Sequence, residues 1–222
     1  MKIMHYIMAL LAALAMVACD EHEELVDLTL KVGNVYRVDG TIVPPAHHRQ
    51  QLDQAPQAVG VVVAVGTADD NYSALVMGLY DLEDSYWFAA KESETDASTD
   101  LEAFNGKENT TMLLSEYKED ESLDPMGAIM AATYNAGGIT GWHLPSVGEI
   151  RAVVQNRSTV LGTINMLGAD DFRDEWYLTS TVDGSSSETA VIYNYCILMP
   201  EGRVASELKT QSHRVRPFMI LR

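Results

Sequence analysis

The run Val59-Gly60-Val61-Val62-Val63-Ala64-Val65 constrains the fold of this chain more than any other stretch. Five valines in seven residues disfavour a helix through their stiff χ1 and suit a pleated strand. No polar residue interrupts the run, so a strand here is covered on both faces. Other short strands surround it. Leu28 to Val43, broken by Gly33 and Gly40, predicts one or two of them. Asp69-Asp70-Asn71 makes a turn, and Ser73 to Tyr80 returns as a second strand. Tyr86-Trp87-Phe88-Ala89-Ala90 is a third, short aromatic stretch. Pro44-Pro45 and the following His47-His48-Arg49-Gln50-Gln51 are expected to be loop, because paired prolines interrupt both ladder and helix. Lys91 to Asp100 and the acidic run Glu116 to Asp124 are expected to be exposed loops.

The period then changes. Asp124-Pro125 predicts a helix start, with a capping carboxylate and Pro in the first turn. Met126, Ile129, Met130 and Tyr134 share one face, and Asn135 with Gly137-Gly138 ends it. Ser146-Val147-Gly148-Glu149 is a capping box, followed by the stripe Val147, Ile150, Val153 and Val154. A third helix follows Ser158, with Val160, Leu161, Ile164 and Leu167 inward. Past Phe172 the pattern returns to strands at Glu175 to Thr181, Ala190 to Leu198, Arg203 to Ala205 and Arg214 to Leu221. The expected class is α+β: antiparallel strands with two or three short helices grouped in the middle.

Charge narrows the functions. With 32 acidic against 15 basic residues the chain carries a formal charge of −17, which opposes nucleic-acid binding and polybasic docking on anionic lipid. Its two cysteines, Cys19 and Cys196, exclude a disulfide framework and a zinc site of several thiolates. The carboxylates of Glu116 to Asp124 do not follow EF-hand spacing and lack its central Gly. His47-His48 suggests a metal pair, but adjacent strand residues face opposite ways, so an exposed loop pair is expected. No dinucleotide, P-loop, zinc-protease or nucleophile-elbow motif is present. No metal and no cofactor is expected.

The N-terminus has the layout of a secretory signal peptide. Lys2 precedes an apolar stretch from Ile3 to Val17, shorter than the ~20 residues of a membrane-spanning helix. Met16-Val17-Ala18-Cys19 resembles a bacterial lipobox, with Met where Leu is usual. The resemblance implies cleavage after residue 18 and a lipidated Cys19. Asp20-Glu21-His22-Glu23-Glu24 is similar to the acidic surface-export tag behind the acylated Cys of Bacteroidetes lipoproteins. The expected organisation is a signal peptide over 1–18, an acidic tether over 19–27 and a domain over 28–222.

Several pieces of that domain fall in a familiar order. Asn105-Gly106 and Asn109-Thr110 precede Ala131-Ala132-Thr133-Tyr134. Gly141-Trp142-His143-Leu144-Pro145-Ser146 follows, with Glu149 three residues on. Then come Ile164-Asn165, Leu167-Gly168, Tyr177-Leu178-Thr179-Ser180-Thr181 and Val215-Arg216-Pro217-Phe218. The series resembles the bacterial C-type-lectin-like domains catalogued as the Fibrobacter major paralogous domain. It departs at Leu178, where that family usually places Trp. The resemblance implies a C-type-lectin-like fold with Trp142, Leu144, Pro145, Ser146, Glu149, Ser180, Thr181 and Arg216 as its signature. Physically these residues suit packing and capping rather than chemistry.

The same fold includes formylglycine-generating enzymes, whose chemistry needs a pair of cysteines. With Cys19 lipidated, only Cys196 remains, in an apolar strand where a thiol behaves as a small hydrophobe. The Glu-Pro-Asn, Gln-Pro-Asp and Trp-Asn-Asp triplets of calcium-dependent lectins are absent. The expectation is therefore no enzyme, but an outer-membrane lipoprotein, anchored by lipid and exposed at the cell surface. Its domain would serve adhesion or capture of a glycan or protein ligand. The alternative is a structural or tip subunit of a fimbria-like assembly. Candidate binding residues are Tyr72, Tyr86, Trp87, Trp176, Asp183 and Ser185, since sugars stack on rings and bond to polar side chains.

Overall fold

The computed structural model describes residues 27–51, 54–89, 94–119 and 124–222. The signal peptide, Cys19 and the acidic run Asp20 to Glu24 lie outside the described residues. The valine run forms β3 (Ala58–Val65) at the centre of a five-stranded sheet. Across that sheet the order is β10 (Phe218–Leu221), β4 (Ala74–Gly78), β3, β1 (Val35–Arg37) and β2 (Ile42–Val43), antiparallel throughout. Cover on both faces is found as expected. Val61 and Val63 pack with Leu75, Ile150 and Phe218, whereas Val59 and Val62 join Val76, Trp142 and Met219 on the other side. Each buried valine contributes roughly 1.5–3 kcal/mol. Gly60 permits the close packing, since a Cβ there would lie 2.4 Å from Val76 Cγ1.

A second five-stranded sheet runs β5 (Leu82–Ser85), β9 (His213–Val215), β6 (Trp176–Val182), β7 (Tyr193–Leu198) and β8 (Arg203–Leu208). Its pairs are antiparallel except β6 with β9, which meet in parallel at Tyr177 and Arg214. The class is mixed α+β, with largely antiparallel sheets and several helices.

The helix count is the main correction. Among the described residues there are six helices, not two or three. α1 (Pro45–Gln50) occupies the expected loop; Pro45 sits in the first turn, where its missing amide has no bond to lose. α2 (Gly106–Glu119) runs through Glu116–Glu119, so that acidic stretch is partly helical. Its inner face carries Asn109 and Thr110 beside Leu113, a face too polar to show as periodicity.

α3 (Met126–Thr133) buries Gly127, Ala128 and Ala131, not the larger Met126, Ile129 and Met130. The small residues let the backbone approach β6: a Cβ on Gly127 would sit 3.0 Å from Leu178 Cδ1. Asp124 does not cap this helix. Its carboxylate accepts the Tyr86 hydroxyl at 2.8 Å instead.

α4 (Val147–Gln155) and α5 (Arg157–Leu167) follow the predicted stripes, although Val154, Leu161 and Leu167 are only half-buried. α6 (Ser187–Ile192), with a Ser186–Thr189 capping box, replaces the expected start of a strand at Ala190. The expected last strand is split between β9 and β10 at Arg216-Pro217, because Pro has no ladder amide to donate.

Candidate functional site

The sequence signature gathers around one buried carboxylate. Glu149 is fully buried at the first turn of α4. Its Oε1 accepts the Gly106 amide at 3.1 Å, while Oε2 accepts the Ser146 amide at 3.1 Å and pairs with His143 Nε2 at 3.0 Å. Ser146 completes the capping box by accepting the Glu149 amide, and donates its hydroxyl to the Ala103 carbonyl at 2.7 Å. A polar web continues outward from it. Thr110 bonds both backbone groups of Leu144, Thr181 accepts the Val147 amide, and Asn109 donates to Ser180. The Ser180 amide donates to the Pro145 carbonyl at 2.7 Å.

Trp142 is 2% exposed, edge-on to Tyr134 at 5.4 Å, and donates its indole N–H to the Ile139 carbonyl. Arg216 is buried against Phe172 and bonds Asp81, the Gly78 carbonyl and the Asp170 carbonyl. These eight positions bind α2, α4, β6 and the ends of β4 and β10 to one another. Their groups have internal partners, so they offer little to a ligand.

The expected binding residues do not converge. Trp87 is 1% exposed and presents no ring face to solvent, which removes it as a contact. It packs on Phe88 at 5.2 Å beneath the Lys209 ammonium. Tyr86 is half-buried and engaged with Asp124, whose hydrogen bond pushes the phenol pKa up. Tyr72 is half-buried against Phe104 at 5.7 Å, with its pKa raised by burial.

Trp176 and Asp183 flank opposite ends of β6, about 20 Å apart by strand rise. Trp176 is half-buried under the Arg203 guanidinium at 5.1 Å. Asp183 is 3% exposed; burial raises its pKa, but hydrogen bonds from Ser206 and Ser185 outweigh this and hold it low. Ser185 is exposed and bonded to Thr189.

A different place brings free polar groups together. A cleft of about 640 Å³ opens where α1, the start of β3, the end of β4 and the end of α5 meet. Tyr80, 47% exposed, stands on its wall. Gln57 and Asn165, both exposed, supply planar amides, and Arg49 supplies one cation. Leu79 and Met166 add apolar surface. His48 borders the cleft, and its Nδ1 accepts the Arg37 Nε–H at 3.0 Å. Burial and the neighbouring Arg37 lower the His48 pKa. The neutral ring therefore carries its proton on Nε2, as a donor.

None of the residues lining the cleft is acidic, in a chain with 32 carboxylate side chains. The expected exposed loop pair His47-His48 is thus corrected: His48 is a buried helical residue held by Arg37. Sequence reasoning missed this cleft because its residues come from four distant parts of the chain with no shared spacing. The one signal was Tyr80, an aromatic residue at the tip of a predicted strand.

A second concavity, of about 520 Å³, is lined by Glu94, Asp96, Glu116 and Glu119 with Ser187 and Ala190. No group of three or more His, Cys, Asp or Glu with metal-holding geometry occurs among the described residues. Cys196 is fully buried, and burial pushes its thiol pKa far up. No family model matches the chain, and no curated protein matches it.

Proposed function

We propose that this chain is a lipoprotein of the outer-membrane surface whose C-type-lectin-like domain captures a glycan in the cleft beside Tyr80. The observation that carries the reading is that cleft: an exposed aromatic ring beside planar amides, without a carboxylate. The C–H face of a sugar packs on an aromatic ring, and its hydroxyls exchange bonds with amides that both donate and accept. Concave sites with a few convergent polar groups are where small ligands bind. The lipobox-like Met16-Val17-Ala18-Cys19, the acidic Asp20 to Glu24 and the Trp142–Glu149 stretch support the anchoring and the fold family. Lipid chains contribute ~0.8 kcal/mol per buried CH₂, so several chains hold a protein firmly where one is marginal. Cys196 is fully buried and burial pushes its thiol pKa up, so it presents no thiolate to a ligand.

A glycan array probed with the wild-type chain and with Tyr80→Ala tests the cleft. Binding that survives Tyr80→Ala unchanged moves the site elsewhere, and no binding above background for the wild type removes glycan capture. Anchoring is tested separately. Cys19→Ala is expected to leave a folded chain in the soluble fraction, and pelleting with membranes after a high-salt wash would overturn the lipoprotein reading. Protease shaving of intact cells tests exposure, with a fully protected chain as the adverse result.

A further inference from the structure

The second sheet ends on β8, and among the described residues no strand pairs with its outer side. Its ladder to β7 determines which backbone groups face outward. The Lys209 amide donates to the Ile192 carbonyl at 3.0 Å, and the register continues from Leu208 opposite Tyr193 to Arg203 opposite Leu198. Hydrogen-bonded pairs recur at every second residue of an antiparallel ladder. Arg203, Ala205 and Glu207 therefore turn their amides and carbonyls toward β7, while Val204 and Ser206 turn theirs away. An edge of this kind accepts another strand.

The charges select the strand. Arg203, Ala205 and Glu207 share one sheet face, where the Trp176 ring holds the Arg203 guanidinium. We propose that β8 is a self-association edge, pairing antiparallel with β8 of a second copy and placing Ala205 on the two-fold axis. In this register Val204 of one copy exchanges both backbone bonds with Ser206 of the other. Arg203 of each copy then faces Glu207 of the other, a half-buried carboxylate that lies 3.8 Å from His213 Nε2 in its own chain, so the opposite-charge pair occurs twice. The two neighbouring registers are unfavourable. Sliding one way sets Glu207 against Glu201, and like charges directly opposite oppose pairing. Sliding the other way sets Arg203 against position 209, whose ammonium is turned inward to the Ala190 carbonyl, so both Arg203–Glu207 pairs are lost. A six-residue strand buries less than the roughly 1,000 Å² of a stable interface. The dimer is accordingly weak and favoured where chains are concentrated, as on a surface.

Cross-linking and sedimentation of the full chain test this. Under mild oxidation in cells, Ala205→Cys, made together with Cys196→Ala because Cys196 stands opposite position 205 on β7, is expected to give a dimer that reducing agent reverses. Arg203→Cys alone should give far less, because position 203 lies opposite 207 and not opposite itself. Equal cross-linking of the two variants, or none from Ala205→Cys, overturns the register. In sedimentation of the purified full chain, Arg203→Glu or Glu207→Arg alone is expected to weaken dimerisation about tenfold. The double variant Arg203→Glu, Glu207→Arg should restore it. A wild-type chain that stays monomeric up to millimolar concentration, or single reversals without effect, overturns the proposal.

Discussion

The web around Glu149 and the cleft beside Tyr80 are both polar, yet they stand at opposite ends of one scale. Around Glu149 almost every donor has an internal acceptor, and only Nδ1 of His143 is buried without one. In the cleft, Tyr80, Gln57 and Asn165 are exposed and make no hydrogen bond among the described residues through their side chains. Burying a polar group costs stability unless it is paired, and a paired group holds the fold. An exposed group keeps its hydrogen bonds for water or a ligand. Polarity alone therefore does not identify a binding site; the absence of internal partners does.

The largest expected effect strikes the buried side of this comparison. Glu149→Ala leaves the Gly106 and Ser146 amides and His143 without their acceptor. At ~1–3 kcal/mol for each orphaned group, a loss of about 3–5 kcal/mol is expected in urea unfolding. Glu149→Gln retains one acceptor oxygen and should lose less. An Ala variant within about 1 kcal/mol of wild type would show that the web is not what holds these elements together.

Next comes Lys209, 1% exposed, whose ammonium donates to the Ala190 carbonyl at 2.7 Å. Burial pushes its pKa down to about 8 from 10.5, with Glu116 opposing. The unfolded chain holds this proton more tightly, so the folded state gains stability as pH rises from about 8 toward 10.5. The gain is at most about 3–4 kcal/mol. Above pH 10 the buried tyrosines act the other way: burial raises the pKa of Tyr177, so its unfolded form ionises first. Thermal unfolding of wild type and Lys209→Met between pH 8 and 10 isolates the effect. Parallel curves for the two chains would show that Lys209 keeps an ordinary pKa.

The smallest expected change in stability is at the cleft. Tyr80→Ala should alter it by no more than ~0.5 kcal/mol while lowering glycan affinity about tenfold, or ~1.4 kcal/mol. A large loss of stability would make Tyr80 a packing residue and erase the contrast with the web. Beside it, Cys196 should react with a thiol reagent only at the rate of global unfolding, as a fully buried thiol.

Much of the frame was legible in the chain. The valine run, the Ser146–Glu149 capping box and the Val147, Ile150, Val153 stripe each announce a local element, because strand, cap and helix face are read within a few residues. All eight signature positions, from Trp142 to Arg216, were read as fold-keeping, and the structure buries every one. The misses have physical causes. α2 hides behind a polar inner face that packs on β6 through Asn109 and Ser180, 71 residues apart in sequence. α3 turns its small residues inward because close approach to Leu178 outweighs the burial of its methionines.

By itself the sequence determined the elements whose reason is local: the two-faced strand, the capped helix, and the charge that opposes nucleic acid. Only the tertiary structure decided which polar residues stay free. His48 became a held donor when Arg37, eleven residues away, closed on its Nδ1. Trp87, a promising surface aromatic in sequence, went to the core under Lys209. The cleft draws Arg49 and Asn165 from two helices, and Gln57 and Tyr80 from the segments beside two strands. Solvent exposure and hydrogen-bond satisfaction depend on neighbours distant in the chain, and no spacing along the sequence encodes them.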